Sequence, residues 1–175
     1  KGTWVGDDRK RDAVRADTTC APTYQPDGLI YDGTADIGDG VCNTSGHGQT
    51  HALPATPRGT ATYHIYFYND GNVVQPLVIT GTAGNSRWAV QYLDYATGMD
   101  VTAAVTGAGW STPALSRSAG RRLRVLVTPG PSVLEGETRS LLVTSTSAVD
   151  ATKKDAVKAI TTCAPSHRPH GRIYS

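Results

Sequence analysis

Three aspartates, Asp32, Asp36 and Asp39, sit among glycines in the run DGTADIGDG, and carboxylates on a flexible loop are the hard oxygen ligands that Ca²⁺ prefers. Their spacing is not that of an EF-hand, so the run reads either as a calcium loop of another kind or as a solvated turn. Cys42, His47 and His51 offer a thiolate and two imidazoles, the latter on one face of an extended strand, as a zinc site requires. A disulfide explains Cys42 better and would leave only two ligands. Asn43-Thr44-Ser45 fits the N-glycosylation acceptor pattern on a surface loop. Signatures of catalysis are missing: the chain has no GxSxG, no HExxH, no P-loop and no GxGxxG between a strand and a helix. The acids lie mostly in turns and near the ends, where solvation accounts for them. The expectation is a protein that is not an enzyme and holds no cofactor.

An internal repeat organises the rest. Residues 7–32 align without a gap on residues 150–175, and 15 of the 26 positions match at an offset of 143. The matches run through strand-like, proline and turn residues alike: Asp12, Ala13, Val14, Ala16, Cys20, Pro22, Pro26, Gly28, Ile30 and Tyr31 all recur. Two similar strands of one domain would not share their linker and turns, so the pattern indicates a tandem array sampled out of phase. Residues 1–17 then end a preceding unit, 18–160 form one complete unit, and 161–175 begin the next. The beginning at Lys1 looks cut. Position 32 of the first copy is Asp32, but its match is Ser175, which favours the solvated turn over a calcium loop. His167 and His170 replace Tyr24 and Asp27, which reads as surface variation.

The repeat also explains an odd cysteine count. Cys163 stands where Cys20 stands, so each unit owns two cysteines and the third belongs to the window. Cys20 is expected to bridge Cys42, closing a loop of about 20 residues and contributing on the order of 3 kcal/mol, while Cys163 waits for a partner in the next unit. Such bonds place the protein in an oxidising compartment, extracellular or on a cell surface.

These residues need a scaffold, and the pattern between them is that of strands. From Thr60 to Tyr68, Ala61, Tyr63, Ile65 and Phe67 alternate with Thr62, His64, Tyr66 and Tyr68, the period of two of a half-buried strand. Asn69-Asp70-Gly71-Asn72 supplies turn residues, so Val73–Thr80 is expected to return as the hairpin partner. Trp88, Val90 and Tyr92, then Leu123, Val125 and Val127, repeat the alternation, and Ser140–Thr146 and Ala156–Thr161 complete the set. No window carries a helical stripe. With 175 residues, 38% of them apolar, and seven or eight strands, the fold class is all-β: an immunoglobulin-like antiparallel sandwich. A net charge of +2 argues against a nucleic-acid partner, and no apolar run reaches the roughly 18 residues of a membrane span.

The run GTATYHIYFYNDGN (59–72), followed by LVITGTAGNSRWAVQYLD (77–94), resembles bacterial immunoglobulin-like modules of the NEW3 and CARDB type. The segments 101–130 and 138–157 are similar to repeats of large secreted bacterial proteins. The resemblance implies a spacer, stalk or surface-assembly unit without catalytic residues. It does not extend to the cysteine pair or to PDGLIYDGTADIGDG.

Two functions follow as expectations. The first is a structural subunit of an extracellular filament, joined head to tail to neighbouring copies through Val14, Ala16, Pro165, Pro169, Ile173 and Tyr174. The second is a carbohydrate-binding or adhesin module that uses exposed aromatics such as Tyr66, Tyr68 and Tyr95.

Overall fold

The computed structural model describes residues 14–166. In chain order its elements are β1 (Pro26–Tyr31), β2 (Asp36–Ile37), β3 (Thr50–Ala55), β4 (Ala61–Asn69), β5 (Leu77–Gly81), β6 (Trp88–Asp94), α1 (Thr102–Val105), β7 (Trp110–Ser111), β8 (Gly120–Pro129), β9 (Thr138–Ser147) and β10 (Lys154–Cys163). They form two five-stranded sheets, ordered β2-β1-β4-β8-β6 and β3-β10-β9-β5-β7, packed as an immunoglobulin-like sandwich. Eight strands have five residues or more, and the helix is a single turn of four residues. Every pair is antiparallel except β3 with β10, which run parallel. β3 is an edge strand, and so tolerates Pro54, which has no N–H to donate.

The core comes from the alternation that the sequence displays. Tyr63, Ile65 and Phe67 of β4 and Leu123, Val125 and Val127 of β8 are buried, and Trp88 joins them, with Val90 and Trp110 packed partly against the cluster. Sheet two answers with Leu77, Ile79, Leu141, Val143, Val157 and Ala159. Each buried valine, leucine, isoleucine or phenylalanine contributes roughly 1.5–3 kcal/mol by leaving water.

The expected hairpin across Asn69–Asn72 is not there. β4 pairs with β1 and β8, whereas β5 pairs with β9 and β7 in the other sheet, so this turn carries the chain between sheets. The reason is Asn69. Its side chain is buried, where Nδ2 donates to the carbonyls of Val73 and Leu115 at 2.8 Å each, and Oδ1 accepts from Gly71 N–H and Gln75 Nε2. Gln75, also buried, accepts in turn from Ser147 Oγ on β9. A satisfied interior polar knot of this kind directs the chain across the core, which a two-residue turn could not do.

Candidate functional site

Two polar centres lie at the end of the sandwich where β1 begins. The first is Asp155, fully buried near the start of β10. Its carboxylate accepts from Gly28 N–H at 2.6 Å, Asn43 N–H at 2.8 Å, Gln49 Nε2 at 2.8 Å and its neighbour Ala156 N–H at 2.9 Å. Burial pushes its pKa up, while these donors pull it down. Gln49 spreads the network, donating also to the carbonyls of Gly28 and Val41. Gly28 is required here because a Cβ would stand 2.8 Å from Phe67 and 3.1 Å from the Asp155 carboxylate. Asp155 and Gly28 are both repeat-matched positions, with Asp12 and Gly171 as their counterparts.

The second centre is Asp27, 2% exposed, which faces Tyr68 across the β1–β4 pairing. Its Oδ2 accepts from Gly40 N–H at 3.3 Å, and its Oδ1 has no hydrogen-bond partner among the described residues. Burial, helped by the charges of Asp70, Asp155 and Asp39 and opposed by the Gly40 donor, raises its pKa to about 6. Asp27, Asp36, Asp39, Asp70, Tyr68 and Ser118 border one cleft of about 470 Å³.

Beside that cleft, on the outer face of the first sheet, the tyrosines form a row. Tyr66 and Tyr68, two residues apart on β4, stack with centroids 6.1 Å apart and planes 13° apart. The Arg122 guanidinium lies 4.7 Å from the Tyr66 ring centre and 4.2 Å from that of Tyr95, held by both π-faces. His64 meets Tyr95 edge-on at 5.9 Å, and burial together with Arg122 and Arg124 lowers its pKa. Alternation sends Arg121 elsewhere, to an ion pair with the buried Asp94.

The segment leading into β1 is clasped by the 69–72 turn. Asn72 N–H donates to the Thr23 carbonyl and Thr23 N–H to Asn72 Oδ1, Asp70 N–H donates to the Gln25 carbonyl, and Asn72 Nδ2 donates to the Ala21 carbonyl. Gly71 permits the approach, since a Cβ there would stand 2.3 Å from the Thr23 oxygen. Upstream of this clasp, Val14 to Cys20 are all exposed, with Val14 at 93%. Their counterparts Val157, Ala159, Thr161 and Cys163 are buried in β10, between β3 and β9. β10 runs to Cys163, three residues past the expected unit boundary at 160.

The cysteines are unbridged in this structure, with Cys20 and Cys42 exposed and Cys163 buried. Cys20 Sγ accepts from Asn72 and Cys42 Sγ from Gln25, so both sulfurs sit on the clasp. Burial, with Asp155, Asp27 and Asp70, pushes the Cys42 thiol up, and burial does the same to Cys163. Asp32 is spent on its own turn: Oδ1 accepts from Thr34 N–H, Thr34 Oγ1 and Ala35 N–H, which hold its pKa at about 2. It does not border the cleft that takes Asp36 and Asp39. Among the described residues no three His, Cys, Asp or Glu side chains converge closely enough to hold a metal ion, so neither Asp32, Asp36 and Asp39 nor Cys42, His47 and His51 form such a group. The two imidazoles do not share an extended strand as expected: His47 lies in an exposed turn before β3, and His51, on β3, packs edge-on against Tyr63 at 6.0 Å. Asn43 closes a turn, its Nδ2 donating to the His47 carbonyl and its Oδ1 accepting from Ser45 and His47. Pro165 is exposed, while Pro169, Ile173 and Tyr174 lie outside the described residues.

Asp155, Gln49 and Asp27 were not singled out from sequence. For Asp155 a signal existed, since it is one of the matched positions; for Asp27 none did, because burial of a carboxylate in a turn-rich segment is a tertiary fact.

No family model matches the chain, and no curated protein sequence matches it. Among solved structures it is similar to a family 123 glycoside hydrolase from Clostridium perfringens, at 8% identity over 69% of this chain and 23% of that one, with a TM-score of 0.46. It is also similar to PapD-like domain 7 of human CEP192, at 12% identity over 90% of this chain and 96% of that one, TM-score 0.43. BcpA, the major pilin subunit of Bacillus cereus, overlaps at 14% identity over 82% of this chain and 40% of that one, TM-score 0.43. The chain thus spans about a quarter of the hydrolase. Overlaps of this size carry no argument about activity or partners.

Proposed function

We propose that this chain is centred on one structural, non-catalytic unit of an extracellular or cell-surface tandem array, linked head to tail to neighbouring copies. The observation that carries this reading is the contrast between the exposed Val14–Cys20 segment and the buried Val157–Cys163 strand of matching sequence. The place for that strand in this sandwich is already filled, so the first copy is read as the last strand of a preceding unit.

The joint follows from the hydrogen bonds at its two ends. Ala164 N–H donates to the Ala55 carbonyl of the sandwich it leaves, and the carbonyl of its counterpart Ala21 accepts from Asn72 of the sandwich it enters. One alanine is thereby claimed from both sides, and a proline follows it in each copy, Pro165 and Pro22. Successive units would abut with no free linker between them. A chain in which residues 21–163 are written twice tests this by backbone relaxation. Both copies are expected to tumble as one body, and independent tumbling would overturn the reading.

The stacked Tyr66 and Tyr68 favour a second role on the same unit, saccharide binding on the outer face, because aromatic faces pack against sugar rings. Loss of oligosaccharide binding on Tyr68→Ala, with folding intact, would support it; an unchanged affinity would remove it.

A further inference from the structure

We propose that the acidic cleft between the start of β1 and the 69–72 turn binds an organic cation, an alkylammonium group of side-chain size. The proposal is independent of the array reading. Four carboxylates, Asp27, Asp36, Asp39 and Asp70, border the cleft with Tyr68 and Ser118, and among the described residues no lysine or arginine lines it. A cluster of acids on a surface is ordinarily just solvated. Here one of them is not: Asp27 is 2% exposed and its Oδ1 has no partner among the described residues, although a buried polar atom is normally hydrogen-bonded. Desolvation and three neighbouring negative charges act against its ionised form, and a positive group in the cleft offsets the repulsion among them.

Size and spacing narrow the class. The carboxylates surround a cleft of about 470 Å³ and do not converge as a three-ligand cage, which disfavours a bare metal ion. A neutral hydroxyl in the cleft would leave the repulsion among its carboxylates in place. An ammonium on an alkyl stem supplies three donors, a charge and an apolar stem that can lie along Leu29 and the Tyr68 ring, which is spread over Gly120. The repeat adds a separate argument. The position of Asp27 is His170 in the second copy, whereas the structural pair Asp155 and Gly28 recurs as Asp12 and Gly171. The orphan carboxylate is therefore not among the residues that the two copies share.

The test is an NMR titration of the 175-residue chain, reading the Gly40 amide, which donates to Asp27, and the Tyr68 ring. Two amine probes distinguish the source of the group, cadaverine for a free polyamine and Nα-acetyl-lysine methylamide for a peptide side chain; calcium chloride and glucose are the other arms. Saturable shifts with at least one amine, in the millimolar range, are expected, with affinity reduced about tenfold in Asp27→Asn and unchanged in Asp32→Asn. If Asp27→Asn does not fold, Asp70→Asn on the exposed turn replaces it, with a loss of about threefold. Silence from both amines, an equal response to glucose, or tighter binding of calcium than of either amine would each overturn the proposal.

Discussion

Val14–Cys20 and Val157–Cys163 share five of seven residues, yet one stretch lies open to water and the other is an interior strand. Valine and alanine at alternate positions suit a pleated, half-buried surface and create none by themselves. In β10 that surface exists because β3 and β9 flank the strand and the first sheet covers it. The difference teaches that the sequence of a strand states which face it can bury, while neighbours decide whether it is buried. It also separates two kinds of position, those that both copies of the sequence retain, such as Asp155 and Gly28, and those, such as Asp27, that the second copy replaces.

The largest expected effect breaks the framework. Asp155→Ala strips the donors of Gly28, Asn43 and Gln49 of their common acceptor. Urea unfolding is expected to show a loss of about 3–5 kcal/mol, and a loss below about 1 kcal/mol would mean that the network is dispensable. Next comes the position that the copies do not share. A carboxyl whose folded pKa is raised from 3.8 to about 6 favours the folded state only while protonated. That contribution is complete below about pH 4 and is lost as the pH rises through 6. Asp27→Asn, which cannot ionise, should therefore flatten the stability profile between those values. At pH 8 it should exceed the parent by about 2–3 kcal/mol, and a variant less stable than the parent at pH 8 would refute the assignment.

Val157→Ala and Val14→Ala compare the two stretches directly. The first should cost about 2 kcal/mol through lost burial and an unfilled space, and the second should stay within about 0.5 kcal/mol. Equal effects would show that residues 14–20 are packed in solution. The smallest perturbation is chemical. In the reduced native chain, iodoacetamide is expected to label Cys20 and Cys42 and to spare Cys163, which is 1% exposed. In material made under oxidising conditions, mapping of non-reduced peptides is expected to join Cys20 to Cys42. A Cys20–Cys163 bond would overturn the phasing of the repeat.

The period-two runs of β4 and β8 and the start of β6 were legible because buried apolar residues alternate there with more exposed ones; the alternation breaks at Tyr92–Asp94, which are all buried. The failure at Asn69–Asn72 has a physical cause: turn residues announce a reversal without saying whether the next strand joins the same sheet. Asn69 makes that choice through contacts with Val73, Leu115 and Gln75. Only the extended run drawn through His51 touched β3, because an edge strand containing Pro54 and pairing in parallel with a strand more than 100 residues away has little local signature.

By itself the sequence determined the strand class, the alternating core and the repetition of Asp155 and Gly28 143 residues from their counterparts. These are carried by periodicity and identity along the chain. Only the tertiary structure decided that Asp155 is saturated with donors while Asp27 keeps one oxygen unpaired, that Tyr66 and Tyr68 share an outer face with Arg122, and that one copy of a strand is buried and the other is not. Burial and hydrogen-bond satisfaction are properties of what surrounds a side chain, and most of those surroundings come from residues far away in sequence.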